Sequence, residues 1–308
     1  MSKVLNIING DIVLNNMRVQ RLEGTFLPWG DFLYSGSVPE SLSLDELSLV
    51  RAKFIASCGL GEFNEVFSEF KERNSTLYSF KKYSKIFLWF ESDIYDQLQL
   101  IQVLDWFAKF SSRKTKIYII YPENYLALST AKELNHFLLY NREIVTHNHF
   151  ITARKAWSSF SSKTPTALYK LLYDDIDSLP FLKNTIKRVL EEYPNSINGL
   201  SRTEHQILLS ISNGKKLSQD IFDDCQKFEE RPFMGELIFL NIIKELIESN
   251  LLNLLDSGLK LTSLGDEILN GKKNYFDYKK IDRWIGGVHI TNITPWRWDI
   301  KSQKIIKC

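Results

Sequence analysis

Residues 85–107 read KIFLWFESDIYDQLQLIQVLDWF. Ile86–Phe90 is an unbroken apolar run of strand length, stopped by Glu91-Ser92-Asp93. Beyond that stop, apolar residues recur at Leu98, Ile101, Leu104 and Phe107, with Leu100 and Val103 beside them. That spacing follows the 3.6-residue period of an amphipathic helix. Lys116–Tyr121 (KIYIIY), ended by Pro122, is the next strand. Two continuous apolar strands joined by a long helix make a βαβ unit. Strands that are apolar on both faces belong to a parallel sheet covered by helices.

The same alternation extends outward. Val4–Ile8 is a short β-branched run ended by Asn9-Gly10-Asp11, and Thr25–Leu27 is a weaker strand. Residues 44–57, 63–70 and 126–138 carry helical patterns. The expected fold is α/β, with a small open, mostly parallel sheet flanked by helices over residues 1–145. Residues 146–199 read as a helical connector punctuated by Pro165, Pro180 and Pro194. Residues 200–308 read as a winged-helix-like module with a basic, Trp-rich tail. Ser201 with Glu204 is a capping box. Two more helices follow, the first expected to be capped by Ser218. A hairpin then turns at Asp256-Ser257-Gly258, and Thr262 caps a closing helix. The tail holds Trp284, Trp296 and Trp298.

Bulk properties exclude several classes. The 308 residues are 44% apolar and 25% charged, with a net charge of +2, so no global field calls for a polyanion or a membrane surface. Cys58, Cys225 and Cys308 lie far apart with no CxxC spacing. A disulfide framework is not expected, and the pattern suits a reducing cytoplasm. The N-terminal apolar run, broken at Gly10-Asp11, is too short for a signal peptide. The most apolar late window, residues 237–255, carries Lys244, Glu245 and Glu248 and is expected to be a buried helix rather than a membrane span.

Four stretches in order, INGDI, LWFESDIYDQLQLIQVLDWF, NGLSRTEHQIL and DRWIGGVHI with WRWD, give the chain a resemblance to one bacterial family. It resembles the family catalogued as domain of unknown function 1835, together with its C-terminal companion domain. The resemblance covers nearly the whole chain and implies a cytoplasmic bacterial protein with no agreed activity. Ser92 stands where that family often carries His, which weakens the carry-over of any chemistry at that position.

In open parallel sheets, ligands bind outside the carboxyl ends of the strands. Asn9, Gly10 and Asp11 follow the first strand, Glu91, Ser92 and Asp93 the second apolar run, and Glu123 the third. With Arg51 as a clamp folding over that edge, Asn9, Gly10, Asp11, Glu91, Ser92, Asp93 and Arg51 form the candidate ligand-binding set. In one form Asp11 and Glu91, with Asp93, coordinate a divalent ion such as Mg²⁺, a hard cation that meets carboxylates and phosphates. In the other, the helix starts after Gly10 and Asp93 offer free N–H groups to a phosphate. Asp93 and Asp96 have a simpler explanation. An N-cap and an acid in the first helical turn stabilise a helix by about 0.3–1 kcal/mol without any ligand. Glu91 precedes the cap, so capping does not account for it.

Other motifs are weaker. Neither NGD nor GLGEF is a dinucleotide or Walker signature. Histidines 147 and 149 read as an exposed loop pair. His289 reads as buried and hydrogen-bonded beside Gly286-Gly287, which permits close backbone approach. No nucleophile elbow exists, and no catalytic residue is identified. Residues 200–271 hold twelve acids against seven bases, net −5, which argues against DNA as a partner. The tail, with nine bases against three acids, is net +6 and suits an acidic surface or an anion. Two functions stand. One is a protein that binds a nucleotide or phosphorylated small molecule at the sheet edge. The other is a non-enzymatic regulatory or scaffold protein whose winged-helix module and basic tail contact a protein or nucleic acid.

Overall fold

Strand β1 (Val4–Ile8) leads through helix α1 (Asp11–Val19) to β2 (Thr25–Pro28). A two-residue strand, β3 (Gly36–Ser37), and helices α2 (Leu44–Ser57) and α3 (Phe63–Tyr78) precede β4 (Lys85–Trp89). Then come α4 (Ile94–Ala108), β5 (Lys116–Ile120), α5 (Ala131–Tyr140) and β6 (Arg142–Ile144). The sheet order in this computed structural model is β2-β1-β4-β5-β6, parallel except for β6. The structure describes residues 3–110 and 114–308.

Alternation along the strands builds a core on each face. Leu5, Ile7, Ile86, Leu88, Ile117 and Ile119 enter the larger core with α4. Ile8, Phe87, Trp89 and Ile120 enter a smaller one with Val13, Met17, Leu134 and Phe137 of α1 and α5. Helix α4 lies against α6 (His147–Phe160) and is buried along most of its length. Its glutamines are therefore buried too, and each finds a partner, as buried polar groups must. Gln97 donates to the Glu91 carbonyl (2.7 Å), Gln99 donates to the Asp31 carbonyl (3.0 Å), and Gln102 accepts from the Trp29 indole (2.7 Å).

The connector comprises α6, α7 (Thr166–Lys170) and α8 (Leu182–Leu190). Histidines 147 and 149 open α6 rather than sitting in an exposed loop. His149 is buried and accepts from the Thr146 N–H (3.1 Å). The C-terminal module shows the expected order: α9 (Arg202–Ser212), α10 (Ser218–Lys227), α11 (Glu236–Glu248), the hairpin β7 (Leu252–Leu255) and β8 (Gly258–Leu261), and α12 (Ser263–Leu269). The Ser201–Glu204 capping box and the Thr262 cap are both present. Ser218 lies inside α10, and Leu217 occupies its cap without a side-chain bond.

The tail forms two antiparallel hairpins, β9 (Asp282–Gly286) with β10 (Val288–Thr291) and β11 (Trp296–Asp299) with β12 (Lys304–Lys307). Strand β9 also pairs in parallel with β3, tying the chain's end to its first third. A Cβ at Gly287 would stand 1.8 Å from the Ser161 carbonyl oxygen, so the close approach admits only glycine. His289 is exposed rather than buried; it stacks on Trp284 and bonds Asp282 (2.7 Å). Trp298 is packed and exchanges backbone bonds with Pro194 and Ser196. The larger core runs from Ile117 through Phe150, Ile186 and Ile207 to Ile285 without a break. Among the described residues, no helix is long and apolar enough to cross a membrane.

Candidate functional site

The strand order reverses at β1. The chain leaves β1 for β2 on one side, and β4 pairs on the other, with Ile8 opposite Trp89. Such a switch point opens a crevice at the strands' carboxyl ends. The segments Asn9–Asp11 and Phe90–Asp93 therefore share one edge.

Asp96 links the two segments. Its carboxyl accepts from the Asn9 amide (2.9 Å) and from the Glu91 backbone N–H. Tyr95 donates to the Asn9 carbonyl (3.2 Å). Asp93 is the N-cap of α4 and accepts from the Asp96 N–H (3.0 Å). Glu91 turns the other way and accepts through Oε1 from the Leu126 N–H (2.8 Å). Asp11 lies exposed in the first turn of α1, after Gly10, which caps with no side-chain bond.

Three carboxyls are thus crowded into a poorly solvated corner. Burial raises Glu91 to about 7; the Leu126 N–H and Arg231 oppose that, and Asp93 adds to it. Burial raises Asp93 to about 6, against the backbone N–H groups it accepts from and Arg231. Asp96 is fully buried, and desolvation with its two acidic neighbours lifts it well above the usual carboxylate range. Loss of water disfavours the charged form, and like charges add to that effect.

Arg51 is placed differently. It is fully buried and ion-pairs with Asp31 (2.8 Å), and its remaining donors reach the carbonyls of Phe32, Ser35 and Ser37. Its guanidinium is occupied inside the fold and does not fold over the acids. Of the carboxylates expected to meet magnesium, Asp11 is exposed on α1, and Glu91 has one oxygen bonded to the Leu126 N–H. Glu91 and Asp96 already receive N–H donors, and among the described residues no three His, Cys, Asp or Glu side chains converge closely enough to hold a metal ion.

A cavity of about 220 Å³ opens beside the β4–α4 junction. It is lined by Ser92 and Asp93, by Asn184 and Lys187 of α8, and by Glu230 and Arg231 from the loop before α11. Sequence reasoning missed Asn184, Lys187 and Arg231. Arg231 stands in a Glu-Glu-Arg-Pro exit from α10, and no local pattern places it near residue 91. Asn9, Gly10, Asp11 and Glu91 border the same sheet edge but do not line this cavity. Helix α11, which would read DNA in a winged helix, rests beside the end of α2, where Asn241 donates to the Cys58 carbonyl (3.1 Å).

No family model matches the chain, and no curated protein matches it.

Proposed function

We propose that the protein binds a small phosphorylated ligand, a nucleotide or a sugar phosphate, at the carboxyl edge of the parallel strands beside the β4–α4 junction. The observation that carries this reading is the pairing of β1 with β4 where strand order reverses, which gathers buried acids at an open edge. Glu91 has one carboxyl oxygen bonded to the Leu126 N–H and the other without a hydrogen bond, and Ser92 adds a hydroxyl in the cavity wall. A carboxyl that titrates near neutrality either accepts from or donates to a ligand hydroxyl. The same property suits general acid–base chemistry, and Glu91 is the residue placed to perform it. The resemblance to the bacterial family would imply a cytoplasmic setting.

Thermal shift tests the reading. With nucleotides and sugar phosphates, with and without Mg²⁺, saturating ligand at about 100 times its Kd stabilises by roughly 2.7 kcal/mol. For a chain of this size that corresponds to several degrees. The Glu91→Ala variant is expected to lose most of the shift. No shift in the wild type, or an equal shift in the variant, removes the proposal.

A scaffold role draws support from Leu254 and Leu255, exposed on the wing hairpin. Salt-titrated binding to generic DNA and RNA separates its nucleic-acid form, which requires a steep salt dependence.

A further inference from the structure

Four bases line the cavity beside the β4–α4 junction, and two of them are already neutralised. Arg188 is buried against Glu192 and Glu229, and Arg202 is held by Glu191 (2.6 Å). Lys187 and Arg231 make no hydrogen bond and no ion pair among the described residues. Arg231 acts on the Glu91 and Asp93 carboxyls without bonding to either, and burial raises both of those carboxyls. Two cations from separate parts of the chain thus border a small cavity, with Asp93 and Glu230 also in its wall but in no direct ion pair with them among the described residues.

We propose that this cavity seats the phosphate group of the ligand between Lys187 and Arg231, so that α8 and the loop before α11 complete a site begun by the sheet edge. The inference rests on the ligand-binding reading above and adds the source of its anion contacts. A guanidinium matches phosphate oxygens through two parallel N–H bonds, and a lysine supplies a compact second charge. Asn184 and Ser92, which also line the cavity, supply neutral groups for hydroxyls next to the phosphate. Ligand pockets for drug-sized molecules are about 300–1,000 Å³. At about 220 Å³ this one is smaller, and it suits one phosphate and a short polyol better than an enclosed dinucleotide. The placement also gives the C-terminal module a part in the site without DNA.

The test is calorimetric titration of the full chain with ribose 5-phosphate and, separately, inorganic phosphate. The wild type is expected to bind ribose 5-phosphate at one site. Lys187→Ala and Arg231→Ala are each expected to weaken binding about ten-fold or more, the effect of losing one charge-assisted hydrogen bond. Arg231→Lys is expected to recover part of the loss. Lys183→Ala, which removes an exposed cation of α8 paired with Asp177, is expected to bind as the wild type does. Arg231 is exposed, so its variants are expected to keep the wild-type thermal midpoint. If Lys187→Ala and Arg231→Ala bind normally while Glu91→Ala does not, the phosphate lies elsewhere on the edge; this inference falls and the ligand reading stands. If the wild type binds neither probe, both fall.

Discussion

Asp31 and Glu91 lie just past the ends of two strands in the same sheet, yet they live in opposite electrostatic settings. Asp31 is buried against Arg51 at 2.8 Å, and that guanidinium is further anchored by three carbonyls. A second buried arginine, Arg73, stacks on Trp29 and Phe70 nearby and donates to the Trp29 carbonyl (2.9 Å). On the β2 side, the buried carboxylate has its counter-charge in direct contact inside the protein. On the β4 side, Glu91, Asp93 and Asp96 share a corner with no direct ion pair among the described residues, and Arg231 opposes the rise of Glu91 and Asp93 from a distance. The first arrangement holds the fold. The second leaves protons poised at the sheet edge, as an external ligand or proton transfer requires.

The contrast is broken most severely by Arg51→Ala. The variant strands Asp31 in the interior without its partner, and loss of one member of a buried pair costs about 3–5 kcal/mol. Urea unfolding should show that loss, and a cost under about 1 kcal/mol would mean that Asp31 is not confined as described. On the β4 side the sign reverses. Glu91 has its pKa raised on folding from 4.5 to about 7, so the folded state favours its protonated form. Its contribution is fully present below pH 4.5 and is lost as pH rises through 7. Glu91→Gln is therefore expected to flatten the stability profile over that window. At pH 8 it should be more stable than the wild type by roughly 3 kcal/mol, taking the rise from 4.5 to about 7 at 1.36 kcal/mol per pKa unit. Parallel pH profiles in the two proteins would contradict this. A smaller effect is expected from Asn9→Ala, which deprives Asp96 of one donor and should cost about 1–2 kcal/mol in the same assay. A neutral result would show that Asp96 does not link β1 to α4.

The two sides were not equally legible in sequence. The β4–α4 junction is a local feature: an apolar run, a polar stop and a helical period within one stretch of chain, with Asp93 at the cap the spacing predicts. Adjacency of β1 and β4 is only a condition in the sequence reading, and the structure supplies it. The pairing of Arg51 with Asp31 is invisible in periodicity, because it depends on how the loop after β2 folds across α2. The sequence leaves Arg51 open between a phosphate clamp and a salt bridge, and the structure shows the salt bridge, to Asp31. Strand β3 has two residues, too few for any pattern, and its partner β9 lies about 250 positions later. Lys187 and Arg231 reach the site only through packing of the connector and the C-terminal module. The His-Asn-His stretch reads as a loop because His149 stands where a capping box usually has Glu or Gln, whereas in the structure its ring accepts from Thr146 and closes the box.

Burial at the end of β4 holds the Glu91 and Asp93 carboxyls well above the usual carboxylate range, with only partial opposition from Arg231. Carbon-13 NMR titration of the Glu91 and Asp93 side chains, with and without ribose 5-phosphate, addresses this most directly. In the free protein Glu91 should titrate near 7 and Asp93 near 6, and both midpoints should move upward when the ligand's phosphate joins the site. Midpoints near 4 for both, unchanged by ligand, would contradict the account.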